Sequence, residues 1–193
     1  MGDAGIQIIQ ILIVLEKGID NMSKMIMMVG APGSGKSTFA KTMIENNENM
    51  VIVSRDEIRY SIVKEDEPYF AREDDVIAEY YYTIAKNLDE GKTVIADATQ
   101  LNPKGRKKVV DNVKFLTKNL STTETICFDI PIETCIKRND YRSGRRRVPH
   151  SVIRRMHTQM VLPNLDCESY IDKTWIIDEN FNIKEYGSEV KNE

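Results

Sequence analysis

The chain is short of cysteine and histidine and has no long apolar run, and each shortage removes a class of protein. Its three cysteines, Cys127, Cys135 and Cys167, are odd in number and widely spaced, with no CxxC pair. That excludes a disulfide scaffold and a zinc finger and points to reduced thiols in a cytoplasmic setting. The two histidines, His150 and His157, have no acid or cysteine at ligand spacing, so no metal is expected beyond one carried with a nucleotide. The longest apolar run, residues 6–15, holds two glutamines and falls short of the ~18 residues of a membrane helix. It follows Asp3 rather than a basic leader and lacks a small-residue cleavage site, which argues against a secretory signal. There is no repeat, no low-complexity tract and no Pro/Gly/Ser linker, so 193 residues read as one domain with a real core.

Charge is present but unevenly placed. The net charge is −3, yet residues 102–155 hold 14 Lys/Arg against 5 Asp/Glu. Such a block is either a solvated face or a surface for an anionic ligand.

From residue 24 onward, short apolar runs alternate with segments of helical period. Strands are expected over 25–29, 50–53, 93–96, 123–128 and 173–177. Helices are expected over 36–46, 56–63, 73–90, 103–119, 131–139 and 151–160, the fourth with proline in its first turn. This alternation predicts an α/β fold with a five-stranded parallel sheet covered by helices. Residues 1–23 fit poorly and read as an N-terminal extension, with Met22 or Met25 the natural start. Residues 24–180 form the domain, and 181–193 read as a polar tail.

The residues Gly30-Ala31-Pro32-Gly33-Ser34-Gly35-Lys36-Ser37 match GxxxxGK[ST] between a predicted strand and a predicted helix. Glycines let backbone N–H groups wrap around phosphate oxygens at a helix N-terminus. Lys36 would reach the β and γ phosphates and Ser37 would ligate Mg²⁺, while Thr38 is either structural or a phosphate contact. The pattern implies an NTP site of the P-loop type. No NKxD sequence is present to read guanine. Compact chains of this fold are most often kinases of small molecules or nucleotides, which is an analogy of fold.

Ser54-Arg55-Asp56-Glu57-Ile58-Arg59 follows the second strand, and ligands of such sheets bind beyond the C-terminal strand ends. Asp56 there can accept the proton of an attacking hydroxyl, or simply cap the helix. Arg59, one helical turn on, could clamp a phosphate of the acceptor. Asp97 ends the third strand, where a carboxylate orders Mg²⁺-bound water, steers Arg59, or forms a turn. Thr99 and Asn102 could contact acceptor or phosphate. Residues 137–155 carry a dense arginine set that reads as a lid over about 138–150 or as surface decoration. Arg138 and Arg142 lie one helical turn apart, and spacing alone does not separate the individual arginines. Tyr80, Tyr81 and Tyr82 read as helix packing rather than a stacking platform.

In this order and spacing, GAPGSGKST, SRDEIR, IADATQLNP and KRNDYRSGRRRVPHSVIRRM resemble the kinase domain of the bacteriophage-type 5′-polynucleotide kinases, over residues 24–160. The resemblance implies ATP and Mg²⁺ as cofactors and 5′-hydroxyl ends of DNA or RNA as partners. Lys36 and Ser37 would bind the ATP phosphates and Mg²⁺, Asp56 would be the general base and Arg142 the lid arginine on ATP. Arg59 would hold the phosphate 3′ of the terminal nucleotide, and Asp97 would support the acceptor site. Relatives self-assemble, which leaves a homo-oligomer open. Three departures stand out: no DxDGT phosphatase motif is present, Asp97-Ala98-Thr99-Gln100 replaces Asp-Thr-Asn, and Asp140-Tyr141 precedes Arg142. The first implies phosphorylation of 5′ ends without removal of 3′ phosphates. The rival readings are a kinase of a small metabolite, nucleoside or nucleotide sugar, and a non-catalytic nucleotide-binding regulator.

Overall fold

A computed structural model describes residues 23–45 and 47–186. In chain order the elements are β1 (Lys24–Val29), α1 (Lys36–Glu45), β2 (Met50–Ser54), α2 (Arg55–Ile62), α3 (Glu73–Asp89), β3 (Thr93–Asp97), α4 (Pro103–Leu116), β4 (Thr122–Phe128), α5 (Ile132–Asp140), α6 (His150–Thr158), β5 (Lys173–Ile177) and β6 (Ile183–Glu185). The strands lie in the order β2-β3-β1-β4-β5-β6. The first five are parallel, and β6 runs antiparallel against β5.

The sixth strand corrects the count of five. It lies in what reads as a polar tail, where Ile177 pairs with Ile183 and Trp175 with Glu185. A three-residue edge strand with one apolar side chain has no period for a pattern to reveal. The extension expected over 1–23 lies outside the described residues except Ser23, whose hydroxyl donates to the Leu88 carbonyl at 2.9 Å.

β1 is buried along its whole length, and its side chains alternate between two cores. Met25 and Met27 pack with Tyr80, Ile84 and Leu88 of α3 and with Val109, Val110 and Val113 of α4. Ile26 and Met28 pack with Phe39, Ala40 and Met43 of α1, Cys135 of α5 and Ile153 of α6. The sheet is therefore sandwiched between helices, and β1 is its centre.

Local chemistry sets the helix starts. The Ser54 side chain caps α2, so Asp56 sits inside the first turn and is not the cap. Asn102 caps α4 through Oδ1, which accepts from Gly105 N at 2.9 Å, and Pro103 occupies the first helical position. Part of the basic block is likewise structural. Arg106 is fully buried and donates to Glu168 through Nε at 2.8 Å and Nη2 at 2.6 Å. Its Nη1 donates to the Val161 carbonyl at 2.9 Å, tying the segment after α6 to α4.

Candidate active site

The loop between β1 and α1 forms at the C-terminal edge of the sheet, with α5 pressed against it. Gly33 adopts φ +84°, and a Cβ there would stand 2.2 Å from the Cys135 carbonyl oxygen, so only glycine fits. The loop is tied to the end of β3, because Gly30 N donates to the Thr99 carbonyl at 3.1 Å. Thr99 thus joins the site through its backbone. The next residue, Gln100, is in the left-handed region at φ +44°, and its Nε2 donates to Tyr80 Oη at 3.0 Å.

Lys36 is buried and donates to the carbonyls of Gly30 at 2.8 Å and Ala31 at 2.9 Å. Burial pulls its pKa down to about 8, partly offset by the negative charge of Asp97. Ser37 Oγ donates to Asp97 Oδ2 at 2.7 Å. Burial pushes the Asp97 carboxyl above its ordinary range, against the Ser37 hydrogen bond and the Lys36 charge. Thr38 is exposed one residue further on. A hydroxyl and a carboxylate oxygen at this spacing are hard donors that suit Mg²⁺ shared with nucleotide phosphates. Among the described residues no group of three or more acidic, His or Cys side chains could cage a metal alone.

Ser54 and Asp97 are register partners at the ends of β2 and β3, so α2 begins beside the phosphate loop. Asp56 is exposed there, and its charge acts on both Lys36 and Asp97. Its Oδ1 accepts from Arg59 Nη1 at 2.7 Å and from the Tyr69 hydroxyl at 2.9 Å. Arg59 Nη2 donates to Glu73 Oε2 at 2.6 Å, and the other oxygen of Glu73 accepts from Arg55 Nη2 at 2.7 Å. Burial alone would lower the Arg59 pKa, but the Glu73 hydrogen bond and nearby negative groups reverse it, and the net shift is upward. The Arg59 side chain is only 2% exposed and lies 4.6 Å from the Tyr69 ring centre and 5.4 Å from that of Phe70.

Glu73 and Tyr69 escaped the sequence reading. Glu73 looks like an ordinary first-turn acid of α3, and nothing local links it to arginines in another helix.

The lid arginines separate in space. Arg138 Nη1 donates to the Ser34 carbonyl in the phosphate loop at 3.1 Å. The Arg142 charge lowers the pKa values of both Lys36 and Asp97. Arg146 pairs with Glu57 at 3.0 Å, and Arg147 with Asp140 at 2.9 Å. The same Asp140 oxygen meets His150 Nε2 at 2.7 Å, so the acid ahead of Arg142 fastens the far end of the lid.

A mostly parallel sheet with the phosphate loop after its central strand, a carboxylate at the end of β3 and an arginine-rich segment after α5 defines a P-loop phosphotransferase of the kinase type. The chain belongs to the family described as "AAA domain", whose model matches residues 25–163. Among solved structures it is similar to a chain of the Pnkp1/Rnl/Hen1 RNA repair complex, with 24% identity and TM-score 0.62 over 92% of this chain. It spans only 52% of that chain, about half its length. A sugar kinase from Janibacter sp. HTCC2649 matches at 17% identity and TM-score 0.57, covering 81% of this chain and 85% of that one. A fungal RNA kinase matches at 13% identity and TM-score 0.57, covering 81% and 75%. These likenesses establish the shared fold. No helix among the described residues is long and apolar enough to cross a membrane.

Proposed function

We propose that the protein is an ATP-dependent 5′-hydroxyl polynucleotide kinase that moves the γ-phosphoryl group to the 5′ end of DNA or RNA. The observation that carries this reading is the pairing of Asp56 with Arg59 at 2.7 Å beside the phosphate loop. A carboxylate takes the hydroxyl proton, and a guanidinium one turn away recognises a phosphate on the same acceptor.

In this reading the backbone from Gly30 through Pro32, Gly33, Ser34 and Gly35 cradles the ATP phosphates. Lys36, Thr38, Arg138 and Arg142 add contacts and balance the charge that spreads over the transferring group. Ser37 and Asp97 would hold Mg²⁺ with the nucleotide, and the ion would supply further neutralisation of phosphate charge. Asp56, held by Arg59 through Oδ1, accepts the proton of the attacking hydroxyl. The acceptor oxygen bonds to the γ phosphorus, the bond to the ADP oxygen breaks, and the proton remains on Asp56.

A kinase of a small metabolite, nucleoside or nucleotide sugar is the second reading, supported by the fold likeness to a sugar kinase across 85% of that chain. An acceptor panel separates the two. Oligonucleotides with 5′-hydroxyl ends are compared with nucleosides, sugars and 5′-phosphorylated strands, and label on the 5′-hydroxyl strand alone supports the polynucleotide kinase.

A further inference from the structure

We propose that Arg145 binds an acceptor phosphate, working across Tyr69 from Arg59, so that the site takes a strand with two consecutive phosphates beyond the reacting hydroxyl. This rests on the polynucleotide reading above and assigns Arg145 a part in it.

Arg145 differs from every other arginine of the lid. Arg138 donates to the phosphate loop and the Arg142 charge acts on Lys36, while Arg146 and Arg147 are neutralised by Glu57 and Asp140. Arg145 faces the acceptor side, as does Arg146 beside the Tyr60 ring, but without a carboxylate to neutralise it. Its Nη1 donates to the Val63 carbonyl at the end of α2 at 3.1 Å, and its guanidinium lies 5.8 Å from the ring centres of both Tyr60 and Tyr69. Among the described residues it has no carboxylate partner.

Two guanidinium nitrogens in this region are shut away from solvent without an acceptor, Arg145 Nη2 and Arg59 Nε. Both belong to arginines that stand against one ring, Arg59 at 4.6 Å and Arg145 at 5.8 Å from the centre of Tyr69. Cationic donors left unpaired in a buried place are costly, and a multidentate anion relieves them. Phosphate matches the planar fork of arginine and can engage it through two oxygens.

Both arginines stand against the Tyr69 ring. Its hydroxyl donates to Asp56 Oδ1 at 2.9 Å and accepts from Arg59 Nη1 at 3.1 Å. An acceptor that brings its own hydroxyl to Asp56 and its phosphate to Arg59 displaces that phenol. The same displacement opens the orphaned nitrogens of both arginines to one strand. The separation of the two guanidiniums cannot exceed the sum of their distances to the Tyr69 ring centre. A strand advances about 3.4 Å along its axis per nucleotide, well inside that upper bound.

The test compares two acceptors at saturating ATP: a nucleoside 3′-monophosphate, and a dinucleotide that also ends in a 3′-phosphate. Wild-type protein is expected to favour the dinucleotide by about tenfold in kcat/KM. R145Q is expected to bring that ratio close to one while leaving the KM for ATP unmoved. A wild-type ratio retained in folded R145Q overturns the proposal, and so does a wild-type ratio near one, which decides the matter alone if R145Q does not fold. Absence of label on both acceptors and on a longer 5′-hydroxyl strand ends the polynucleotide reading, and this proposal with it.

Discussion

Glu73 holds Arg59 at 2.6 Å, although the two residues stand on different helices and 14 positions apart. One carboxylate thereby fixes Arg59 and, through its other oxygen, Arg55, so the proposed acceptor clamp is oriented from α3 as well as from α2. E73Q keeps the shape and removes the charge. It is expected to raise the acceptor KM while sparing the KM for ATP, and to lower stability by about 1–3 kcal/mol because buried guanidinium donors lose a charged partner. Steady-state kinetics with each substrate varied, together with urea unfolding, separates the two effects. Equal rises in both KM values contradict the assignment.

D56A is expected to cut kcat by two orders of magnitude or more, about 2.7 kcal/mol, while ATP affinity stays close to wild type. Lys36→Ala is expected to cut transfer as severely and to weaken ATP binding too. Calorimetric titration with a non-hydrolysable ATP analogue distinguishes the pair. Full activity in D56A removes the proposed base.

The pKa of Lys36, lowered to about 8 by burial, gives a pH dependence with a definite sign. Its ammonium is charged below that value and progressively neutral above it, so the free protein loses affinity for the nucleotide phosphates as pH rises through 8. The kcat/KM for ATP, which reports groups of the free enzyme, is expected to fall above pH 8. The kcat profile is expected to hold to higher pH, because bound phosphates favour the charged form. A kcat/KM profile flat to pH 10 contradicts this.

Arg106 and Glu168 form a buried ion pair at 2.6 Å. Removing one partner leaves the other charge buried, so R106M is expected to cost about 3–5 kcal/mol of stability. The Glu168 pKa falls below its usual carboxylate range: burial alone would raise it, but hydrogen bonds from Arg106 and Tyr170 outweigh that. A lowered carboxyl contributes stability that is complete above its unfolded-state pKa and is lost as pH falls through its folded value. Urea unfolding from pH 7 down into the acid range is expected to show that loss in wild type and a shallower one in E168Q.

The sheet was largely legible because each central strand is a short apolar run and each helix carries its own period. β5 over Lys173–Ile177 matches its expected bounds. β6 was not legible, since its three residues hold a single apolar side chain. The phosphate loop was readable from spacing because Gly33 and Lys36 act within a few residues of each other. The acceptor cluster was only half readable. Asp56 and Arg59 share one helical turn, but Glu73 and Tyr69 reach them through the packing of α3 and its preceding loop. The arginines of the lid look alike in sequence, and only their partners, Ser34, Val63, Glu57 and Asp140, tell them apart.

The most direct measurement is transfer of labelled γ-phosphate from ATP with Mg²⁺ to a 5′-hydroxyl oligonucleotide, run beside a 5′-phosphorylated strand, a bare nucleoside and a panel of sugars. The account predicts label on the 5′-hydroxyl strand alone, lost in D56A. Label on a sugar or a nucleoside, with none on any strand, contradicts it and assigns the same catalytic groups to a small-molecule acceptor.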